Sequence, residues 1–234
     1  FSVWNNPDSS ENLFGFERKE DFFEFYKESY FAIKSVLPTA KIGTPSFASL
    51  YCDNFPFISA FLDYCAKNDC PPEFINFSFS YDVIEKENDM PYTLYLLRVA
   101  KDKDGFGKAI ANAKSFLQTT PYGDLPIYIS SWAFTNSSKN LLNDTCFISC
   151  LFVKDYLENF DSVDALGYWC LSDQNTRSNF NESLFSGGRG MFTKNGIEKS
   201  IYNALKLLSK LDSEIIYRGS GYFITRSYKK LHVM

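Results

Sequence analysis

The first residues of the chain, FSVWNNPD, place two amide side chains at the end of a strand-like run. Phe1, Val3 and Trp4 favour a strand, and the turn formers that begin at Asn5 predict a loop directly after it. Catalytic groups of an α/β barrel are held at such junctions. Asn6 cannot act as a general acid or base, because an amide has no proton to exchange near neutral pH. The stretch therefore offers hydrogen bonds to a ligand without acid–base chemistry.

Other side chains that commonly carry catalysis are scarce in this sequence. The one histidine, His232, lies near the C-terminal end in a basic segment, where a solvated side chain is the better interpretation. Ser-His-Asp and Cys-His mechanisms are thereby nearly excluded. The cysteines form no C-x-x-C pair and have no companion histidines, so we predict mostly buried thiols and no zinc site. They are Cys52, Cys65, Cys70, Cys146, Cys150 and Cys170.

The composition is that of a globular protein. The 234 residues are 45 % hydrophobic and 18 % aromatic, which provides apolar surface for a core. The net charge is −4 and no basic stripe is present, so we expect no nucleic-acid contact from this stretch. No apolar run approaches the roughly 20 residues of a membrane span, and no cofactor is expected. A cytoplasmic bacterial location is the expectation, with secretion left open because the chain begins with Phe1 rather than Met.

Strand-like and helical segments alternate along the chain, which predicts successive βα units around a parallel sheet. A polar loop is predicted around 85–89, and two short strands about a Gly-Ser-Gly turn are predicted near 214–226. The five predicted strands are FSVWN, KIGTPSF, EFINFSFSY, LPIYISSWAF and VDALGYWCLSD. The predicted helices lie near 17–37, at FPFISAFLDYCAK, through 105–118, near 144–160 and at IEKSIYNALKLLSKL.

Five βα units cannot close a barrel of eight, because three absent strands would leave two sheet edges unpaired. We therefore predict an α/β fold that is the C-terminal portion of a (β/α)₈ barrel over residues 1–212. The start of a small β region and a tail are predicted over 213–234. The N-terminal part of the same barrel is the expected protein partner.

Several segments of the chain, in order, resemble family 39 of the glycoside hydrolases, the family of β-xylosidases and α-L-iduronidases. FSVWNNPD is similar to that family's F-x-V-W-N-E-P-N, and LPIYISSWAF to its I-T-E-W strand. ALGYWCLSD and FSGGRGMFTKNGIEKSIYNAL are similar to its Y-W-x-x-S-D and G-G-x-G-L … G-I-x-K-P-x-Y-N-A segments. The resemblance implies that FSVWN is the fourth strand of a (β/α)₈ barrel and LPIYISSW the seventh, with a β-domain following.

Both carboxylates that the resemblance implies are replaced in this sequence. Retaining hydrolysis in the family uses a general acid/base after the fourth strand and a nucleophile at the end of the seventh, about 5 Å apart. These positions fall on Asn6 and Ser131, and the histidine of the family's third-segment pattern falls on Ser78. The acidic pair that follows S-D in the family falls on Thr176 and Arg177. Without a carboxylate for the oxocarbenium-like transition state, we expect little hydrolysis.

Aromatic and amide side chains near these positions are candidates for sugar contacts. Asn5 matches the family's asparagine beside the acid/base, which hydrogen-bonds sugar hydroxyl groups, and its alternative role is that of a turn amide. Trp4, Trp132 and Trp169 resemble in placement the aromatic residues near the family's sugar site. Aromatic faces pack well on the apolar faces of sugar rings, and packing inside the barrel is an equally good explanation.

Acidic and glycine residues complete the candidates. Asp8 could substitute as an acid, although a turn or capping role is favoured. Asp173 and Glu182 could contact a ligand, and surface solvation is as good an interpretation for each. The G-G-x-G run at 187–190 suggests a phosphate loop, but it lacks the Lys-Ser/Thr pair and the dinucleotide spacing, so phosphate binding is disfavoured.

Three hypotheses for function follow. The favoured one is a non-catalytic domain that binds a carbohydrate of the xylose type through Asn5, Asn6, Ser78, Ser131, Trp132, Trp169 and Asp173. Domains resembling family 39 also occur behind AraC-type DNA-binding regions in bacterial regulators, where sugar sensing is a natural role. The alternatives are an active retaining glycosidase with relocated carboxylates, and a structural or interaction module with a filled pocket.

Overall fold

Two compact units make up the chain, and the first comprises residues 1–134 and 160–169. The second unit comprises residues 135–159 and 170–234, and the boundary predicted after residue 212 stays a prediction. The computed structural model describes residues 1–8, 15–48, 50, 55–87, 94–99, 102–137, 139–173, 183–219 and 221–234.

A parallel sheet is the centre of the first unit, in the order β1 (Ser46–Phe47), β2 (Ile75–Ser80), β5 (Ile127–Ala133) and β6 (Ala165–Tyr168). The strands β3 (Asp82–Glu87) and β4 (Leu94–Val99) form a separate antiparallel pair. The α/β class predicted from the sequence is thereby confirmed. The elements of this unit, in chain order, are α1 (Lys19–Val36), β1 (Ser46–Phe47), α2 (Phe55–Lys67), β2 (Ile75–Ser80), β3 (Asp82–Glu87), β4 (Leu94–Val99), α3 (Gly105–Leu117), β5 (Ile127–Ala133) and β6 (Ala165–Tyr168).

The first two predicted strands are shorter in the structure than in the prediction. FSVWN pairs with the next segment through two isolated parallel bridges, Ser2 with Gly43 and Asn5 with Ser46. Trp4 has a φ of 77°, outside the β region, which interrupts the first strand. Pro45 has no N–H to donate to a ladder, which limits KIGTPSF to the short strand β1.

The polar loop predicted around 85–89 is wrong for residues 85–87. These residues lie in β3, whose Asp82 pairs with Val99 and whose Glu87 pairs with Leu94 of β4. LYLLRV contains strand formers, but DVIEKE has only Val83 and Ile84, so its pairing with LYLLRV and not its own local preference makes it a strand. Residues 88 and 89 lie outside the described part of the chain.

Aromatic side chains join the helices to the outer face of the sheet. Tyr26 of α1 meets Phe61 of α2 with ring centroids 4.8 Å apart, and Phe61 meets Phe47 of β1 at 5.7 Å. Phe106 of α3 contacts Phe79 of β2 at 4.9 Å. All five rings are buried, so this packing holds β1 and β2 in position against the helices. The other face of these strands carries polar side chains.

The second unit combines helices with a three-stranded antiparallel sheet of β7 (Glu214–Gly219), β8 (Tyr222–Ser227) and β9 (Lys230–Val233). The hairpin predicted near 214–226 is confirmed by the pairing of Glu214 with Arg226. A further strand includes His232, so this end of the chain is a paired strand and not a free tail; the His232 side chain stays partly exposed, with its Nε2 3.2 Å from Asp212 Oδ2. The elements are a 3₁₀ turn (Leu141–Asp144), α4 (Cys146–Asn159), α5 (Ser200–Leu208), β7 (Glu214–Gly219), β8 (Tyr222–Ser227) and β9 (Lys230–Val233).

The described cysteines are all free thiols. Cys65 and Cys70 are buried as predicted, whereas Cys146 and Cys150 are exposed on α4 and Cys170 is half-buried. Within the described ranges, no helix combines the length and apolarity needed to cross a membrane.

Candidate functional site

Asn6 is held where the first segment leaves the sheet. Its φ is 50° and that of Trp4 is 77°, both in the left-handed region. Two backbone hydrogen bonds to Ser46 hold this segment. The Ser46 N–H donates to the Trp4 carbonyl at 3.2 Å, and the Ser46 carbonyl accepts from the Asn6 N–H at 2.6 Å. A bulky residue in this conformation costs of order 1–3 kcal/mol and persists only when its surroundings fix it. The backbone is thus strained at Trp4, whereas asparagine adopts this region readily, and Ser46 anchors both residues.

Ser78 brings two of the predicted site residues together. Its hydroxyl lies 3.0 Å from Asn6 Oδ1 and 2.9 Å from the Phe47 carbonyl oxygen, and its one hydrogen is shared between these acceptors. Ser78 is also the register partner of Ser131 on the neighbouring strand β5. Asn6, Ser78 and Ser131 therefore lie in one group toward the C-terminal ends of parallel strands.

A β-bulge in β5 sets the orientation of the serine pair before Trp132. The pairing with β2 steps from Phe77–Ile129 to Ser78–Ser131, which leaves Ser130 as the extra residue. Ile129 and Trp132 are buried, whereas Ser130 is exposed and Ser131 is half-buried. The bulge thus turns two successive hydroxyl side chains away from the core.

Ser130 and its polar neighbours are not among the site residues predicted from the sequence. The Ser130 Oγ lies 3.1 Å from Ser46 Oγ, and its N–H donates to Asn76 Oδ1 at 3.3 Å. Asn76 in turn donates to Ser2 Oγ at 2.9 Å. One signal in the sequence marks the bulge: apolar residues at 127 and 129 are spaced by two, but the next, Trp132, comes after three.

The tryptophans that were candidates for sugar contacts differ in exposure. Trp132 is fully buried, with its ring 6.1 Å from that of Tyr81 and 5.9 Å from that of Tyr168. The predicted sugar contact of Trp132 is therefore replaced by its alternative, packing in the core. Trp169, directly after β6, is 41 % exposed, and Trp4 is 39 % exposed.

Asn5 and Asp8 lie on either side of Asn6 in different environments. Asn5 is exposed. Asp8 is buried, and its Oδ1 accepts the backbone N–H of Ala48 at 2.6 Å. Burial raises the pKa of Asp8 to about 6, against the opposing effect of the hydrogen bond from Ala48. Asp8 is thus the buried carboxylate nearest in sequence to the Asn6 position.

Asp173 belongs to the second unit, and its carboxylate is engaged inside that unit. Lys199 Nζ lies 3.0 Å from Asp173 Oδ1 and 2.8 Å from Oδ2, and the Gly190 N–H donates to Oδ1 at 2.6 Å. The carboxylate is nearly fully buried, so the predicted alternative of surface solvation is wrong for Asp173. Glu182, Thr176 and Arg177 lie outside the described residues.

The glycine run has a structural explanation around these carboxylates. A Cβ atom on Gly188 would lie 2.3 Å from Asp173 Cγ, so a larger residue cannot be placed there without displacement. The Gly187 N–H donates to Asp144 Oδ2 at 2.6 Å, from a backbone with a φ of 77°. In a phosphate loop, backbone N–H groups donate to the bound ligand. Here the N–H groups of the glycine run donate to aspartates of the same unit instead.

The whole-chain similarity agrees with the segments identified above. The model of glycosyl hydrolases family 39 matches residues 1–228. The chain belongs to this family. It is 25 % identical over 229 residues to a β-xylosidase of Geobacillus stearothermophilus, covering 97 % of this chain and 44 % of the relative. A β-xylosidase of Caldicellulosiruptor saccharolyticus is 27 % identical over 218 residues, covering 92 % and 42 %. The chain thus spans less than half the length of these two relatives.

Solved structures agree in fold. The GH39 enzyme from Xanthomonas axonopodis pv. citri has a TM-score of 0.83 at 18 % identity, covering 99 % of this chain and 44 % of that one. A monomeric β-xylosidase from Caulobacter crescentus CB15 has a TM-score of 0.81 at 19 % identity, covering 99 % and 45 %. The parallel sheet of this chain therefore corresponds to part of the fold of family 39 structures.

Proposed function

We propose that this family 39 chain binds a xylose-type sugar without hydrolysing it. The observation that carries the proposal is the Asn6–Ser78 hydrogen bond beside Ser131. By the resemblance of the motifs, Asn6 takes the position of the general acid/base and Ser131 that of the nucleophile. An amide and a hydroxyl thus stand where retaining hydrolysis needs two carboxylates.

The two replacements remove the chemistry in different ways. Asn6 can donate or accept a hydrogen bond, but it cannot protonate a leaving group. Ser131 has a neutral hydroxyl, which attacks only when a base activates it. Its register partner is another serine, Ser78, whose own hydrogen is already donated. No glycosyl-enzyme intermediate is expected.

Binding is supported by what the group still presents. Asn5 and Trp169 are exposed, and Ser46 anchors the strained backbone of Trp4, two residues before Asn6. Strain of this kind clusters at ligand sites, which favours a binding role over a filled structural module. Sugar hydroxyls would pair with Asn5, Asn6, Ser78 and Ser131, and the Trp169 ring would cover an apolar sugar face. The xylose type is proposed from the similarity to β-xylosidases.

The test combines binding with turnover on the full chain. Calorimetry with D-xylose and β-1,4-xylobiose should show binding, and 4-nitrophenyl β-D-xyloside should release no nitrophenol above background. The double variant Asn6→Glu/Ser131→Glu restores both carboxylates and is expected to gain turnover. Asn6→Gln/Ser131→Gln is the matched control, because it has the same size without the charge. Turnover by the parent at roughly 1–10³ per second would contradict the proposal.

A second candidate function is a glycosidase with Asp8 as a relocated acid. Its support is the raised pKa of Asp8, about 6, which would keep the carboxyl partly protonated near neutral pH. In this case the parent would release nitrophenol with a pH profile falling above about 6, and Asp8→Asn would abolish it. If the parent and Asp8→Asn both bind the sugar and neither releases nitrophenol, the non-hydrolytic binding function is supported over the glycosidase.

Binding without turnover is what a sugar sensor requires. We propose sensing as the biological role of the site, with a DNA-binding region of the AraC type as the kind of output domain. Sequencing the complete reading frame tests this role, because a secretion signal in place of a DNA-binding region would oppose it.

A further inference from the structure

Two hydroxyl groups next to the Asn6–Ser78–Ser131 group differ sharply in exposure. Ser46 is 4 % exposed, and its Oγ lies 3.1 Å from the Oγ of the exposed Ser130. The N–H of Ser130 donates to Asn76 Oδ1, which holds the bulge in place. The pair therefore has one member fixed inside the protein and one member open to a ligand.

The hydrogen-bonding capacity of this pair matches an alcohol. Two hydroxyls that share one hydrogen bond still have one O–H and several lone pairs for a further partner. Ser130 is the member that can reach this partner, since Ser46 is buried. A sugar hydroxyl both donates and accepts, so it satisfies either orientation of the pair.

The side chains around the Ser46–Ser130 pair are also short. Barrel interiors are commonly filled by bulky branched side chains. Here Ser46, Asn76 and Ser130 occupy neighbouring positions of β1, β2 and β5, and they are joined to one another by hydrogen bonds. Short side chains at these positions fill less of the volume next to Ser131 than bulky branched residues would.

We propose that Ser130 is a specificity-determining residue that hydrogen-bonds one ring hydroxyl of the bound sugar, with Ser46 orienting its Oγ. The inference rests on the proposed function, because it assigns a contact within the same sugar site. It assigns a role to Ser130, which takes the threonine position of the I-T-E-W segment beside the nucleophile position.

The test removes one hydroxyl from the ligand and one from the protein. Calorimetry on the full chain compares D-xylose with 2-, 3- and 4-deoxy-D-xylose for the parent, Ser130→Ala and Ser130→Thr. In the parent, one deoxy sugar should bind about 2- to 12-fold more weakly because of the hydrogen bond to Ser130. Ser130→Ala should bind xylose more weakly by a similar factor and no longer distinguish that deoxy sugar from xylose. Ser130→Thr keeps the hydroxyl and should keep the distinction.

The outcomes separate this inference from the function on which it rests. If the parent binds none of the four sugars, the proposed function fails and the assignment of Ser130 fails with it. If the parent binds xylose and Ser130→Ala discriminates among the deoxy sugars as the parent does, only the assignment of Ser130 is overturned. Thermal melting checks that each variant is folded. Ser130→Cys, nearly the same size with a weak donor, replaces Ser130→Ala if the alanine variant does not fold, and the same loss of discrimination is then required.

Discussion

Replacing Lys199 by methionine should lower the free energy of unfolding by about 3–5 kcal/mol. The side chain of Lys199 is fully buried, and its Nζ lies 2.6 Å from Asp144 Oδ1 and 2.8 Å from Asp173 Oδ2. It also donates to the Gly188 carbonyl at 2.8 Å. The approach to Asp144 Oδ1 is ionic, since its geometry lies outside the range of a hydrogen bond. Methionine has a similar length but neither charge nor donor.

The size of the effect follows from what the substitution leaves behind. One buried cation faces two buried carboxylates, so the parent cluster has a formal charge of −1, and Lys199→Met leaves −2 without a counter-ion. Losing one partner of a buried ion pair typically costs about 3–5 kcal/mol, because the other charge stays desolvated. The Gly187 and Gly190 N–H groups still donate to the carboxylates, which keeps the expected loss from exceeding that range.

Urea-induced unfolding followed by circular dichroism measures this loss. The matched control is Lys206→Met on α5, because Lys206 is half-exposed and its ion pair with Glu198 is long at 3.4 Å. Such a surface pair contributes about 0–1 kcal/mol. Adding Asp173→Asn to Lys199→Met removes one of the two negative charges and should recover about 1–2 kcal/mol. A Lys199→Met variant no less stable than Lys206→Met would refute the reasoning.

Two further predictions concern the first unit. Burial raises the pKa of Asp8 from 3.8 to about 6, so the native protein retains a proton that the unfolded chain releases, and the parent should lose stability as pH rises from about 4 to 6. At pH 8, Asp8→Asn should therefore have a free energy of unfolding higher than that of the parent by up to about 3 kcal/mol, and the difference should be smaller at pH 4. Urea unfolding at the two pH values measures this, and a difference that does not change with pH would contradict the prediction. Trp132→Phe should leave xylose affinity within about twofold because the ring is buried, whereas Trp169→Ala should weaken calorimetric binding about 2- to 12-fold. A larger loss of affinity in Trp132→Phe than in Trp169→Ala would contradict this prediction and indicate that Trp132 contacts the sugar.

The helices and the parallel sheet could be predicted because their patterns are local. FPFISAFLDYCAK is the helix α2 residue for residue, and the helix predicted through 105–118 is α3 to within one residue. The hairpin of β3 and β4 was not predicted, since its charged residues resemble those of a loop while its pairing is with a segment 7 to 17 residues away. Pairing over that separation is set by tertiary contacts, which outweigh local polarity.

The residues of the candidate site could be predicted where a family motif marks their positions. They could not be predicted where the backbone geometry determines which way a side chain points. Asn6, Ser78 and Ser131 were found from their motifs, and the structure brings them together. Ser130 was missed because a regular strand would have turned its side chain to the face opposite Ser131, and only the bulge brings both to one face. Asp173 was taken for a ligand or solvated residue, since the sequence does not show that Lys199, 26 residues later, folds against it.

The backbone at Trp4 and Asn6 connects these observations to function. Both residues adopt positive φ, and Ser46 holds them with one backbone donor and one backbone acceptor. The same Ser46 places its side chain against Ser130, so a single residue of β1 links the loop that carries Asn6 to the bulge of β5. Under the proposed function, hydrolysis does not require this arrangement, because Asn6 and Ser131 are neutral at the proposed acid/base and nucleophile positions. Orienting amide and hydroxyl groups toward a sugar does require it, and this is the reason we propose for the strained loop.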